Sequence, residues 1–392
     1  MPTPDAYWLA LRRVRGVGPR IAHLLLEAFG TPERIFALDE KELAAAGIPR
    51  SAARNLREFR DFDMLERELC ELPRIGARLV RWSDPEYPAN LREIADPPPY
   101  LFVQGRLSPG EKQYLAVVGA RAASDAGRHM ARRLGLELAA KGFTVVSGLA
   151  RGIDTEAHLG ALDAGGRTVA VLGCGIDVIY PAENRGLAQS IVEGGGALLT
   201  ELPVGTPPIA ENFPGRNRIL SGLSLGVVVV EAAERSGSLI TARTALDQNR
   251  QVFAVPGSPV SGRSRGSNRL LRDGARLVEC VEDVIEELAP QLANLAPEPR
   301  TPKSADDSST HRAVPGGAVA VESASSATPA LTSEESIDAK TLLDCLKDAE
   351  KLHVDSIIER SGLKAQTVLR LLMDLELRGI IAQHPGKLFS LS

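Results

Sequence analysis

From Tyr114 onward the chain alternates short apolar runs with longer stretches of helical periodicity. The runs are Leu115–Val118, Thr144–Ser147, Thr168–Leu172, Ala197–Thr200, Gly226–Val230 and Val252–Val255. Helical patterns fall between most of them, as at Asp125–Lys141, Thr155–Ala164 and Leu239–Gln248. The runs are apolar at nearly every position rather than every second one, as expected of strands covered on both faces of a parallel sheet. The pattern predicts a doubly wound α/β domain whose ligand lies outside the carboxyl ends of the strands.

The flanks read differently. Residues 1–75 carry short helical patterns and no strand pattern. A Pro-rich, irregular lead-in follows over residues 76–112, with Asp84-Pro85-Glu86-Tyr87-Pro88 and Pro97-Pro98-Pro99-Tyr100. Residues 291–335 are rich in Pro, Ala, Ser, Thr and Gly. Such a stretch buries too little apolar surface to offset its ordering entropy, so it predicts a flexible linker. Residues 336–392 read as three helices and a wing: Ala339–Lys347, Val354–Ser361 and Lys364–Arg378, then a hairpin within Ile380–Leu391 around Pro385-Gly386. The expected domains are therefore 1–75, 76–290 and 336–392, joined by the 291–335 linker.

Charge narrows the function classes. The 392 residues hold 46 Lys and Arg against 50 Asp and Glu, a formal net charge of -4. By segment, residues 1–80 carry 13 basic and 12 acidic groups, 81–290 carry 22 and 24, and 336–392 carry 8 and 8. No domain can coat nucleic acid by bulk positive charge, so any polyanion site must be a small convergent cluster. The four cysteines, Cys70, Cys174, Cys280 and Cys345, form no CxxC pair, which speaks against a zinc ribbon or thioredoxin-like chemistry. No signal pattern opens the chain and no apolar run is long enough to span a membrane, so the cytoplasm is the expected compartment.

The strand ends carry the candidate chemistry. The first run ends Val118-Gly119-Ala120-Arg121-Ala122-Ala123-Ser124, with Arg121 where a dinucleotide fingerprint needs a second Gly. The second ends Ser147-Gly148-Leu149-Ala150-Arg151, not in the Asp or Glu that holds an adenosine ribose. Both departures count against NAD or FAD. Phe213-Pro214-Gly215-Arg216-Asn217-Arg218 precedes the run at Gly226, and Arg235-Ser236-Gly237-Ser238-Leu239-Ile240-Thr241 follows it and opens a helix. Ser238 suits the N-cap, and a helix N-terminus attracts anions. Arginine forks grip phosphate oxygens, and Phe213 offers a stacking face. Together Arg121, Ser124, Ser147, Arg151, Phe213, Arg216, Asn217, Arg218, Ser236, Gly237, Ser238 and Thr241 suggest a crevice for several phosphates, meaning a polynucleotide or a large nucleotide. Asp154 and His158, four apart, read as a pair that fixes the preceding loop rather than as catalytic or metal groups. No Ser-His-Asp order, HExxH or Walker A pattern occurs.

At the N-terminus, Arg15-Gly16-Val17-Gly18-Pro19-Arg20 has the turn of a helix-hairpin-helix, whose backbone N–H groups meet DNA phosphates without reading sequence. Ala46-Gly47-Ile48-Pro49-Arg50 is a degenerate second copy. Such a module either touches DNA or serves as a protein-interaction cap. The near-neutral C-terminal domain fits a protein-binding or weakly DNA-binding winged helix better than a sequence-specific reader.

Taken together, these residues resemble the DNA-processing protein A (DprA/Smf) family. The resemblance rests on Val118-Gly119-Ala120-Arg121 with Ser124, Ser147 through Asp154 with Ala157-His158, and Leu172-Gly173-Cys174-Gly175 with Tyr180-Pro181. It continues through Phe213-Pro214 with Arg216-Asn217-Arg218-Ile219, Val230-Glu231-Ala232 with Ser236 through Ala242, and Val255-Pro256-Gly257 with Ser264-Arg265-Gly266 and Asn268. It implies a Rossmann-like domain between a helix-hairpin-helix/SAM-like module and a winged helix. It also implies a cytosolic, non-enzymatic homodimer without cofactor that binds single-stranded DNA during natural transformation, protects it and loads the RecA recombinase. By position, Arg121, Phe213, Arg216, Asn217, Arg218 and the Ser236–Ser238 loop would contact the strand. The sequence departs from the family at Glu201-Leu202-Pro203, where Glu-Tyr-Pro is usual. The alternative is a Rossmann-like nucleotide-processing enzyme of phosphoribohydrolase type, although the PGGxGTxxE pattern of that group lacks its Glu and second Gly here.

Overall fold

The computed structural model describes residues 2–295 and stretches of residues 352–391. It separates into two compact units. Most of the expected linker and the expected helix Ala339–Lys347 lie outside the described residues. The linker's first residues do not follow the expectation, because a helix over Val281–Leu295 runs into it.

The chain begins with six helices, α1 (Pro4–Arg13), α2 (Pro19–Phe29), α3 (Pro32–Ala37), α4 (Glu40–Ala45), α5 (Arg50–Glu58) and α6 (Phe62–Glu71). Their starts are written in the sequence. Thr3 and Thr31 cap α1 and α3 just ahead of Pro4 and Pro32, and Asp39 and Glu42 form a capping box on α4. Leu9, Leu25, Ile35, Leu43, Leu56 and Leu65 are fully buried at the centre.

Nine strands then form one sheet: β1 (Ala77–Arg81), β2 (Tyr100–Gly105), β3 (Tyr114–Val118), β4 (Thr144–Ser147), β5 (Thr168–Val171), β6 (Ala197–Thr200), β7 (Gly226–Val229), β8 (Gln251–Ala254) and β9 (Arg276–Leu277). Their order is β1-β2-β6-β5-β4-β3-β7-β8-β9. From β6 to β9 all neighbours are parallel, while β2 runs antiparallel to both β1 and β6. The six predicted strands match within a residue at either end. β1 and β2 were not expected, because they lie in or beside the Pro-rich lead-in.

Both faces of the sheet are covered. On β3, Leu115 and Val117 face one apolar layer with Leu134, Ala157 and Val284, while Ala116 and Val118 face another with Ile219, Leu220 and Ala242. The short helix α7 (Ala89–Arg92) lies between β1 and β2 in the chain. Helices α8 (Asp125–Ala140) and α9 (Ile153–Asp163), with Val281–Leu295, thus cover one face. Helices α11 (Asn212–Leu223) and α12 (Gly237–Asp247) cover the other. Between α9 and α11 come a short turn and α10 (Arg185–Glu193). The chain steps outward from β3 to β6, then returns through α11 to β7 on the far side of β3. The crevice between the ends of β3 and β7 is therefore the topological switch point. No described helix is long and apolar enough to cross a membrane.

In the second unit, β10 (Leu352–His353), β11 (Ile381–His384) and β12 (Leu388–Leu391) form an antiparallel sheet in the order β10-β12-β11. The helix Val354–Ser361 has the expected bounds. Of the expected third helix, Thr367, Val368, Leu371, Leu372 and Leu375 are described and helical. Ile357, Val368, Leu371, Leu375, Ile381 and Phe389 form its core. The β11–β12 pair is the expected wing.

Candidate nucleic-acid interface

A crevice of about 540 Å³ opens at the switch point. Its walls come from the turn after β3 (Arg121), the start of α11 (Phe213, Arg216, Asn217) and the start of α12 (Arg235 to Ser238, Thr241). Two helix N-termini border this region, and they differ.

The N-terminus of α8 is filled from within. Glu231, at the end of β7 and almost fully buried, takes the Ser124 N–H at 3.2 Å on each carboxylate oxygen and also accepts from the Ser124 hydroxyl. Ser124 in turn accepts from the Gly127 N–H at 3.1 Å, capping the helix. A Cβ on Gly127 would come within 2.6 Å of the Glu231 carboxylate. In a dinucleotide fold, the N-terminus of the first helix receives the pyrophosphate. Here an internal carboxylate holds that position.

The N-terminus of α12 is open. Ser236 is the cap, accepting from the Ser238 N–H at 3.4 Å, with the two hydroxyls 2.7 Å apart. This corrects the expectation of Ser238 as cap; Ser238 is a buried residue of the first turn. Gly237 is exposed, and a Cβ there would meet nothing within 4 Å. The first N–H groups of a helix have no intrahelical partner, so this end faces the crevice with anion-binding capacity to spare. Across from it Arg121 is exposed, with its guanidinium 5.2 Å from the centre of the Phe213 ring. Arg121 has no carboxylate partner among the described residues.

The other predicted residues divide by where they point. Asn217 and Thr241 line the crevice although both are largely buried. Arg216 lines it too, but its guanidinium donates to the Gly148 carbonyl at 2.8 Å and to the Val171 carbonyl, tying the ends of β4 and β5 to α11. Burial pulls the Arg216 pKa down, partly countered by Asp154. Arg151 is exposed and locked to Glu183 by bonds of 2.5 and 2.8 Å. Arg151 lies outside the crevice wall, and so do three other expected residues. Ser124 serves Glu231, and Ser147 is buried and donates to the Val117 carbonyl at 2.6 Å. Arg218 bonds Glu201 at 2.5 Å and the Asp96 carbonyl at 2.8 Å. Glu201 also lies 3.8 Å from Arg12 of α1, so Arg218 anchors α11 toward the helical module.

Asp154 accepts from the Gly148 and Ala150 N–H groups at 3.0 and 3.4 Å, so it does fix the loop before α9. Its pKa is raised by burial. His158 is not its partner. It is fully buried, 2.7 Å from the Thr168 hydroxyl, and burial pushes its pKa down to about 3. Two residues of this region, Arg235 and Tyr180, stand in the quoted motifs but not among the expected contacts. Arg235 sits at the crevice edge immediately before the α12 cap, which was the available signal. Tyr180 stands 6.1 Å from Phe213, and nothing local in the sequence places it there.

Three family models match separate stretches of the chain. The family described as DNA recombination-mediator protein A matches residues 78–289, the SAM-like helix-hairpin-helix tandem matches 9–61, and the DprA winged helix domain matches 326–387. Protein Smf of Escherichia coli is 41% identical over 322 residues, covering 82% of this chain and 79% of its own. Protein Smf of Synechocystis is 34% identical over 97% of both chains. The X-ray structure of DNA processing protein A from Streptococcus pneumoniae superposes with a TM-score of 0.62 at 35% identity, covering 73% of this chain and 99% of that one. The chain belongs to the DNA recombination-mediator protein A (DprA/Smf) family.

Proposed function

We propose that this protein binds single-stranded DNA at the switch-point crevice, without catalysis, protects the strand and helps load the RecA recombinase onto it during natural transformation. One observation carries the reading: an arginine without a carboxylate partner among the described residues lies over the half-buried Phe213 ring, opposite an open helix N-terminus. Phosphate oxygens suit the α12 N-terminus, Arg121 and Arg235, and a base suits the Phe213 ring, whose π-face accepts any of the four. Arg216 contributes by holding the crevice wall, and Arg218 by anchoring α11. Contact with the strand is thus assigned to fewer arginines than the sequence suggested.

The phosphoribohydrolase reading finds less support. The first-helix anion position is taken by Glu231, and the Asp154 carboxylate is engaged by loop N–H groups. The proposed homodimer has a candidate surface at the β8–β9 edge, where Leu246 (58% exposed) and Leu277 (43%) border a groove of about 550 Å³. The winged helix is proposed as a further protein or DNA contact.

The test is fluorescence anisotropy with oligo-dT across a salt series. About four phosphate contacts per bound unit give a log K against log salt slope of roughly -3. Arg121→Ala should weaken binding about tenfold for all sequences and flatten that slope by about 0.7. An unchanged affinity would overturn the site. RecA loading is tested separately, by RecA filament formation on strands coated with single-strand-binding protein.

A further inference from the structure

Beside the crevice lies a second recess, of about 330 Å³, which shares Arg121 and Phe213 with it and is further walled by Tyr180, Pro208 and Ile240. No carboxylate lines it. Two of its walls are large apolar side chains left open to solvent, Tyr180 at 41% and Ile240 at 45% exposure. The Tyr180 and Phe213 ring planes meet at 51°. Two aromatic faces therefore converge where a single unpaired guanidinium stands. Apolar walls, flat π-faces and one cation match the chemistry of a nucleobase with its adjoining phosphate.

We propose that this recess takes a second nucleobase of the bound strand, stacked on Tyr180, next to the base on Phe213, with Arg121 holding the phosphate between them. The proposal rests on the reading of the crevice as a strand-binding site. Because the two ring planes are inclined, the two bases are splayed apart rather than stacked on each other. Recognition through π-faces alone makes the subsite indifferent to base identity. The family pattern quoted from the sequence places Tyr180 beside Pro181, but its partnership with Phe213 arises only in the fold.

The experiment compares oligo-dT with an abasic deoxyribose-phosphate strand of the same length, binding to the full chain. Tyr180→Leu should lower affinity for oligo-dT roughly tenfold and leave affinity for the abasic strand unchanged. Tyr180→Phe should bind both as the parent protein does. Equal losses on both strands for Tyr180→Leu, or no loss on either, would overturn the second subsite. Arg121→Ala run in parallel separates the two proposals. If it weakens both strands while Tyr180→Leu binds oligo-dT normally, the second subsite falls and the crevice stands. If Arg121→Ala changes neither, the crevice reading falls, and the second subsite with it.

Discussion

Two helices of this sheet, α8 and α12, begin at the same switch point, each with a serine cap and a glycine in the first turn. At α8 the space in front of Gly127 is occupied by the Glu231 carboxylate; at α12 the space in front of Gly237 is empty. Local sequence alone makes both look like phosphate sites. The difference lies in what the neighbouring strand end supplies, a buried carboxylate in one case and nothing in the other. A doubly wound fold can thus close its usual nucleotide position with its own anion and keep the adjacent one for an external polyanion.

The largest effect should come from breaking the closed site. Glu231→Ala leaves Ser124 and the α8 N-terminus without their buried acceptor. Charge-assisted bonds of this kind make the loss about 3 kcal/mol. The urea midpoint of the main unit should fall accordingly, and Glu231→Gln should fall less because one acceptor oxygen remains. A midpoint unmoved by Glu231→Ala would mean that the carboxylate is not what holds this end of the sheet.

The same contrast explains what could be read from the sequence. Continuous apolar runs such as Gly226–Val230 revealed the parallel strands, because burial on both faces leaves an unmistakable composition. Alternation is weak and prolines are dense around the edge strand β1 and its neighbour β2, so both were hidden. The α11 helix carries no legible pattern, because Arg216 to Leu223 are all buried, which erases the amphipathic stripe by which helices are recognised. The Arg and Ser residues at strand ends were legible as a set, but not their directions. Once Asn212–Leu223 is a helix, Arg216 and Arg218 lie about 200° apart around its axis. They cannot share one wall, and Arg218 turns to Glu201 and Asp96 instead. Partners such as Glu231 for Ser124 are more than a hundred positions away in sequence and become visible only in the fold.

A second prediction concerns another committed polar group behind the crevice. Burial keeps His158 neutral in the folded chain down to about pH 3, whereas an ordinary histidine takes up its proton near pH 6.5. The unfolded chain therefore binds more protons across that window, and stability falls as the pH falls through it. By pH 5 the loss attributable to His158 is about 2 kcal/mol relative to neutral pH. Asp154 acts in the opposite sense, since its raised pKa favours the folded state at low pH. The comparison that isolates the histidine is the pH dependence of urea unfolding in the parent protein and in His158→Gln. The variant should have the flatter acid limb, and parallel limbs would show that the buried ring does not titrate as described.

The smallest effect, and the most direct test of open against closed, is to convert α12 into a copy of α8. Ser236→Asp places a carboxylate at the open N-terminus. Asp caps a helix about as well as Ser, so stability should change by less than about 0.5 kcal/mol. The added negative charge should nevertheless compete with a phosphate for the same N–H groups and for Arg121, weakening oligo-dT binding about tenfold, or roughly 1.4 kcal/mol. The penalty should shrink as salt is raised, because this end of α12 is exposed and screened. Loss of binding together with loss of stability would point to a damaged helix. Full binding with an intact fold would place the strand somewhere other than the α12 N-terminus.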